Sequence, residues 1–340
     1  MIPACQLKPS GAPFVSTKTA PILFIHIPKT AGTSFRKGAE NFFGSQHIVY
    51  DYGGDASATS SLARQMLYGE HEDFWCFARA CEEAGTALVA GHFEASRFVP
   101  LFGVARAVTF LRDPLQRVAS WYVHALRRFD YKGSFRDFYS RSSIRNRQSR
   151  ALRGVSLEAI GVVGLTERYE QSLELINGCY GTEIDVHFNN AVRKDAGSLH
   201  KVSAADEAEI RRLNKEDCAL YERALALFAQ RYQLFRQGQP WAHARLVEAK
   251  PGRISGWAWW EGGRDEPVEV EIWINGEIRE RVFALEPRSQ LHRLTPPRGG
   301  YVGFHAPINV SPGDAVQCRI VPTGQRFPWK PLKVEVPSTP

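Results

Sequence analysis

The residues with the clearest chemical content lie in one stretch, HIPKTAGTS, at positions 26–34. An apolar run of strand type, PILFIHIP, leads into it, and TSFRKGAENFFG follows with helical spacing. A strand that turns into a helix in this way leaves several N–H groups pointing at one spot, at the positive end of the helix dipole. Ala31 and Gly32 let an anion approach the backbone closely. Thr30, Thr33 and Ser34 can add hydroxyl donors, and Lys29 adds a positive charge. That set suits a phosphate or a sulfate. It is not a Walker A loop, which places its lysine directly after a second glycine. Here Lys29 precedes Gly32, and no upstream glycine has the required spacing.

Two further positions carry chemistry. Arg112 ends the apolar run of RAVTFLRDP, and Ser120 follows it on LQRVASWYVHALRRF, a strong helical pattern. Arginine offers a planar fork of donors to a phosphate, and a hydroxyl completes the grip. Alone, an Arg-Asp pair at a strand end reads equally as a structural ion pair. His92 follows TALVAGHF; an imidazole titrates near neutrality and suits a general base, although a lone histidine after a strand is more often a cap or a surface residue. His26, inside the first strand, reads as structural. His124, on the Ser120 helix, could face a cleft, and Asp113 reads as orienting Arg112 or a helix end.

Elements must bring these positions together. Strand-like runs at 21–28, 86–93, 106–114 and 160–165 alternate with helical stretches at 33–44, 58–84, 115–129, 166–181 and 203–235. Such alternation predicts an α/β domain with a parallel sheet flanked by helices. Near Gln237 the pattern changes. RQGQPWAHARLVEAKPGR reads as a linker, and short runs such as RISGWAWW, VEVEIWING, GYVGFHAPI and DAVQCRIV predict a small all-β sandwich. The expected organisation is a flexible tail over 1–20, an α/β domain over 21–237 able to fold alone, and a linker with a β module over 238–340.

The 340 residues carry a net charge of +7, which suits an anionic partner such as a nucleotide, an acidic sugar or a membrane surface. The basic residues form no long block and no zinc-finger or RRM signature occurs, so nucleic acid is not the expected partner. No transmembrane run or signal-peptide pattern is seen. The six cysteines contain no C-x-x-C pair, which argues against a zinc or thioredoxin-type site and for reduced thiols in the cytoplasm.

HIPKTAGTS resembles the 5′-phosphosulfate loop of sulfotransferases that use 3′-phosphoadenylyl sulfate (PAPS), in the form found in carbohydrate sulfotransferases of the heparan 2-O-sulfotransferase type and their bacterial relatives. VTFLRDPLQRVASWYVH is similar to the 3′-phosphate motif of that family, with Arg112 and Ser120 in the gripping positions. AGHF resembles the segment that carries the catalytic histidine, which maps to His92. RKDAGSLHKVS is similar to the basic loop that folds over the cofactor, where Lys201 and, less directly, Lys194 match. The resemblance covers about residues 20–235. It implies a P-loop-like sulfotransferase fold with PAPS as donor, no metal, and a hydroxyl acceptor, most readily a carbohydrate or glycolipid. Lys29, Thr30, Ala31, Gly32, Thr33, Ser34, Arg112, Ser120 and Lys201 would bind the cofactor, with Lys29 and His92 catalytic.

Two other functions fit parts of the sequence. A kinase-type enzyme using the same loop with ATP would need Mg²⁺ and a carboxylate near the loop to hold it. A non-catalytic glycan-binding protein would place binding in the β module, whose Trp257 and Trp259 share one strand face while Trp260 takes the other. These tryptophans read as sandwich core, with Trp260 as the one expected to look outward if one face forms a sugar platform.

Overall fold

The computed structural model describes residues 20–186 and 202–334. Five strands, β1 (Ile22–Ile25), β2 (Ile48–Asp51), β3 (Leu88–Gly91), β4 (Ala107–Leu111) and β5 (Val162–Leu165), form a parallel sheet in the order β2-β3-β1-β4-β5. Strands β1, β3 and β4 are buried at every position, which is why they read as continuous apolar runs rather than alternating ones. Helices flank the sheet: α1 (Gly32–Phe43), α2 (Ser61–Leu67), α3 (Phe74–Glu83), α4 (Ala95–Phe102), α5 (Pro114–Arg128), α6 (Phe135–Tyr139), α7 (Arg147–Ala151), α8 (Tyr169–Tyr180), α9 (Ala204–Leu213) and α10 (Lys215–Arg236).

Several ends follow from local chemistry. Pro114 starts α5, and the Asp113 carboxylate caps it by accepting from the Gln116 N–H at 3.0 Å. Ser203 caps α9 through the Asp206 N–H. The helical stretch expected over 58–84 is two helices, and the one over 203–235 is broken at Asn214, whose side chain donates back to the Ile210 carbonyl at 2.8 Å.

Eight further strands make two antiparallel sheets: β6 (Ala242–Lys250), β7 (Arg253–Trp260), β8 (Glu269–Ile274), β9 (Glu277–Phe283), β10 (Glu286–Pro287), β11 (Tyr301–Ala306), β12 (Ala315–Ile320) and β13 (Arg326–Lys333), in the orders β10-β11-β7-β6 and β13-β12-β8-β9. Ala244, Ile254 and Phe304 of one sheet share a buried cluster with Val270, Ile272 and Cys318 of the other. Residues 242–250, read as linker from their turn-forming neighbours, are strand β6.

The tryptophans correct the expectation for that module. Trp260 is buried in the core between its two sheets. Trp257 and Trp259 stack on one another at 4.5 Å and join the core of the α/β half, together with Leu291, Leu294 and Val302. Neither face of β7 looks outward. The contact is also polar: buried Arg231 of α10 pairs with Glu261 at 2.7 Å, and His243 Nδ1 lies 2.9 Å from the Glu158 carbonyl oxygen. Among the described residues no helix is long and apolar enough to cross a membrane, and Cys81, Cys179, Cys218 and Cys318 form no disulfide with one another.

Candidate functional site

The loop that leaves the central strand β1 is held in a concave shape by its own residues. Lys29 and Ala31 both take left-handed backbone angles, with φ of 69° and 66°. Ala31 passes directly into right-handed Gly32, and neighbours of opposite hand turn their N–H groups toward a common point. Thr30 is fully buried, and its hydroxyl donates to the Ile27 carbonyl at 2.8 Å. That hydroxyl therefore locks the loop and is not offered to a ligand. The N–H groups of Ser34 and Phe35 turn back to the Ala31 carbonyl. Those of Gly32 and Thr33 have no partner among the described residues, so fewer donors are left for a ligand than the sequence suggests. Gly32 also has to be glycine: a Cβ there would lie 2.1 Å from the His26 ring.

Arg112 reaches this loop from the end of β4, with its Nη1 donating to the Lys29 carbonyl at 3.3 Å. The side chain of Gln148, fully buried on α7, accepts from the Arg112 N–H and donates to its carbonyl, each at 2.9 Å. Ser120 sits buried on the α5 face turned to the loop. Lys29, Ala31, Gly32, Thr33, Ser34, Arg112 and Ser120 line one cavity of about 440 Å³. His26, Val123, His124, Arg127, Arg128 and Thr166 complete the wall among the described residues, with no carboxylate in that set. Four basic side chains, Lys29, Arg112, Arg127 and Arg128, on the wall of one cavity favour an anionic ligand.

His92 lines the adjoining cavity, of about 430 Å³, with His26, Glu94, Ser96, Arg97 and Arg147. Its position is set by β3, where Gly91 allows a backbone approach that a Cβ would block at 1.8 Å from the Asp51 carbonyl oxygen. The His92 N–H donates to that same oxygen at 3.1 Å. The His92 ring meets the rings of His26 and Tyr52 edge-on, each at 4.7 Å. Partial desolvation, then the guanidiniums of Arg147 and Arg36, pull its pKa down to about 4. The ring keeps an exposed side at the cavity mouth, where solvent trims that depression, and the direction leaves a neutral imidazole at neutral pH. Buried Asp51 accepts from Tyr68 at 2.6 Å and lies 3.8 Å from Arg97, so the arginine wall of this cavity is anchored from behind.

A third space, of about 600 Å³, follows β5 and is lined by Ala31, Ser34 and residues 166–171. The three spaces share lining residues, Ala31, Ser34 and Thr166 on one side and His26 on the other. They form one cleft over the carboxyl ends of β3, β1, β4 and β5, where open α/β sheets bind ligands. Lys201 and Lys194 lie outside the described residues. Among those residues no group of three or more His, Cys, Asp or Glu is arranged to hold a metal ion.

Sequence reasoning missed His26, Arg127, Arg128, Arg147 and Gln148. Helical spacing from Ser120 through Val123 and His124 to Arg127 was available as a signal for one of them. Nothing local marks Gln148, whose role depends on contact with a residue 36 positions away. No protein-family model, no curated protein and no solved structure matches the chain.

Proposed function

We propose that the protein is a PAPS-dependent O-sulfotransferase acting on a hydroxyl of a carbohydrate or glycolipid. The observation that carries this reading is the convergence of Lys29, residues 31–34, Arg112 and Ser120 on one cavity beside His92. A parallel sheet with the loop of residues 26–34 on its central strand also fits the P-loop-like sulfotransferase fold.

On this reading Arg112 and Ser120 hold the 3′-phosphate of the donor. Lys29 and the N–H groups of Gly32 and Thr33 hold its 5′ end. The acceptor enters through the cavity of His92. Its oxygen attacks sulfur in line, the new O–S bond forms as the bond from sulfur to the 5′-phosphate oxygen breaks, and His92 takes the acceptor's proton. The electron pair of the broken bond moves to the leaving oxygen, where Lys29 and the loop N–H groups stabilise it. Adenosine 3′,5′-bisphosphate (PAP) leaves.

The test is a thermal shift followed by transfer. PAP should raise the melting temperature without metal, and ³⁵S-labelled PAPS should pass label to some member of a panel of glycans, glycolipids, phenols and peptides. Stronger stabilisation by ATP with Mg²⁺, abolished by EDTA, would point to a kinase-type enzyme instead.

A further inference from the structure

His26 holds the one position shared by the donor cavity and the acceptor cavity. Its ring is buried, stacked on Phe24 at 5.3 Å, and its Nδ1 lies 3.0 Å from the Tyr52 hydroxyl. The opposite ring edge, Cδ2 and Nε2, lies against Gly32, whose N–H belongs to the anion loop. Nε2 has no hydrogen-bond partner among the described residues. The positive charge of Arg36, from α1, acts on the Tyr52 oxygen. A Tyr52 hydroxyl that gives its hydrogen to the imidazole nitrogen beside it makes Nδ1 the acceptor and puts the proton of the neutral ring on Nε2.

We propose that His26 is a fixed, neutral hydrogen-bond donor to the group in transfer, through Nε2–H at the point where the donor and acceptor cavities meet. This rests on the sulfotransferase reading of the cleft. Burial, then the charges of His92 and Arg36, hold the His26 pKa down to about 3. The ring thus neither gains nor loses a proton in the step. It donates to a non-bridging oxygen of the sulfuryl group while the acceptor's proton goes to His92. The arrangement divides the labour between two histidines 4.7 Å apart: His92, open to the acceptor side, is the base, and His26, buried and tied to Tyr52, is the electrophilic partner.

The experiment compares His26→Gln with His26→Asn. The glutamine amide reaches as far as Nε2 and keeps an N–H donor there; the asparagine amide reaches only the Nδ1 position and keeps the contact to Tyr52. Expected are near-normal PAP affinity in both variants, a kcat loss of about a hundredfold in His26→Asn, and recovery of most of it in His26→Gln. Tyr52→Phe, which releases the tautomer without entering either cavity wall, should lower kcat with KM for PAPS unchanged. Equal kcat losses in the Gln and Asn variants, or wild-type kcat in His26→Asn, overturn the proposal while leaving the sulfotransferase reading intact. If wild-type protein neither binds PAP nor transfers label, that reading fails and this one fails with it.

Discussion

Gln148 clasps Arg112 as a neighbouring strand would. Its Oε1 accepts the Arg112 N–H and its Nε2 donates to the Arg112 carbonyl, both at 2.9 Å. The sheet has ended at Leu111, so one amide side chain supplies the next pair of ladder bonds and fixes the backbone from which the Arg112 guanidinium projects. Gln148 is itself fixed by Asp217, which accepts from the N–H groups of Gln148 and Ser149 at 3.1 and 2.7 Å. Asp217 is fully buried and lies 4.0 Å from Arg117.

Gln148→Ala removes both bonds to Arg112, each worth about 1 kcal/mol. It is expected to weaken PAP binding by about tenfold or more with a smaller effect on turnover of bound substrate. Calorimetric titration with PAP checks this. An unchanged dissociation constant would mean that Arg112 is held by something else.

His92→Ala should leave PAP affinity near normal and reduce kcat by about a hundred- to ten-thousandfold. Because the His92 pKa is depressed to about 4, the wild-type ring is already neutral at neutral pH. kcat/KM should therefore stay flat through neutrality and fall only at a pH well below 6.5. A pH–rate profile with an acid limb near the ordinary histidine value of 6.5 contradicts the neutral-base assignment.

Two histidines should also shape acid stability. Burial, then the nearby charge of Arg231, draw buried His243 down to about 4, and His26 is lower still. Between 6.5 and those values the unfolded chain binds protons that the folded chain refuses, so stability is full above 6.5 and is lost as pH falls. Each such group contributes a slope of about 1.4 kcal/mol per pH unit within its window. His243→Asn, which keeps a donor for the Glu158 carbonyl, should flatten the slope measured by urea unfolding between these limits. An unchanged slope would show that His243 is protonated in the folded state.

Trp259 is about 1% exposed and fills the contact between the two halves of the chain. Trp259→Ala should cost about 3–5 kcal/mol. A chain ending at Gln237 lacks Trp257, Trp259, Leu291, Leu294 and Val302, all members of the α/β core, so it should bind hydrophobic dyes or aggregate. Recovery of a soluble, cooperatively unfolding 1–237 fragment that binds PAP would show that these residues only cover the core.

How far the sequence could be read depended on whether its signals were local. β1, β3 and β4 are short runs of buried apolar residues closed by proline, Gly-His or Arg-Asp-Pro, and they were legible. β2 was not, since its apolar part is only two residues long before Tyr50 and Asp51. β9 escaped for the opposite reason: it is a largely exposed edge strand with no buried residue. The strand–loop–helix at residues 22–43 was legible as a motif, while its backbone hand was not. That Thr30 spends its hydroxyl on Ile27 follows from two left-handed residues that composition does not announce. His26 read as structural, and its contact with Tyr52, 26 residues away, is the kind of long-range partner that a local pattern does not show. The tryptophans were correctly read as core on one face, but an alternating strand pattern cannot say that a second domain covers the other.

The β module meets the α/β half just before its strands begin, at Ala105 and Arg106 ahead of β4 and at residues 158–161 ahead of β5. The cleft opens at the other ends of those strands. Even the four residues of β1 separate the two by about 13 Å. Whatever docks on the far side of the module does not stand in the mouth of that cleft. On the sulfotransferase reading the module would serve as a mooring, with the cleft facing away from the surface or polymer it holds.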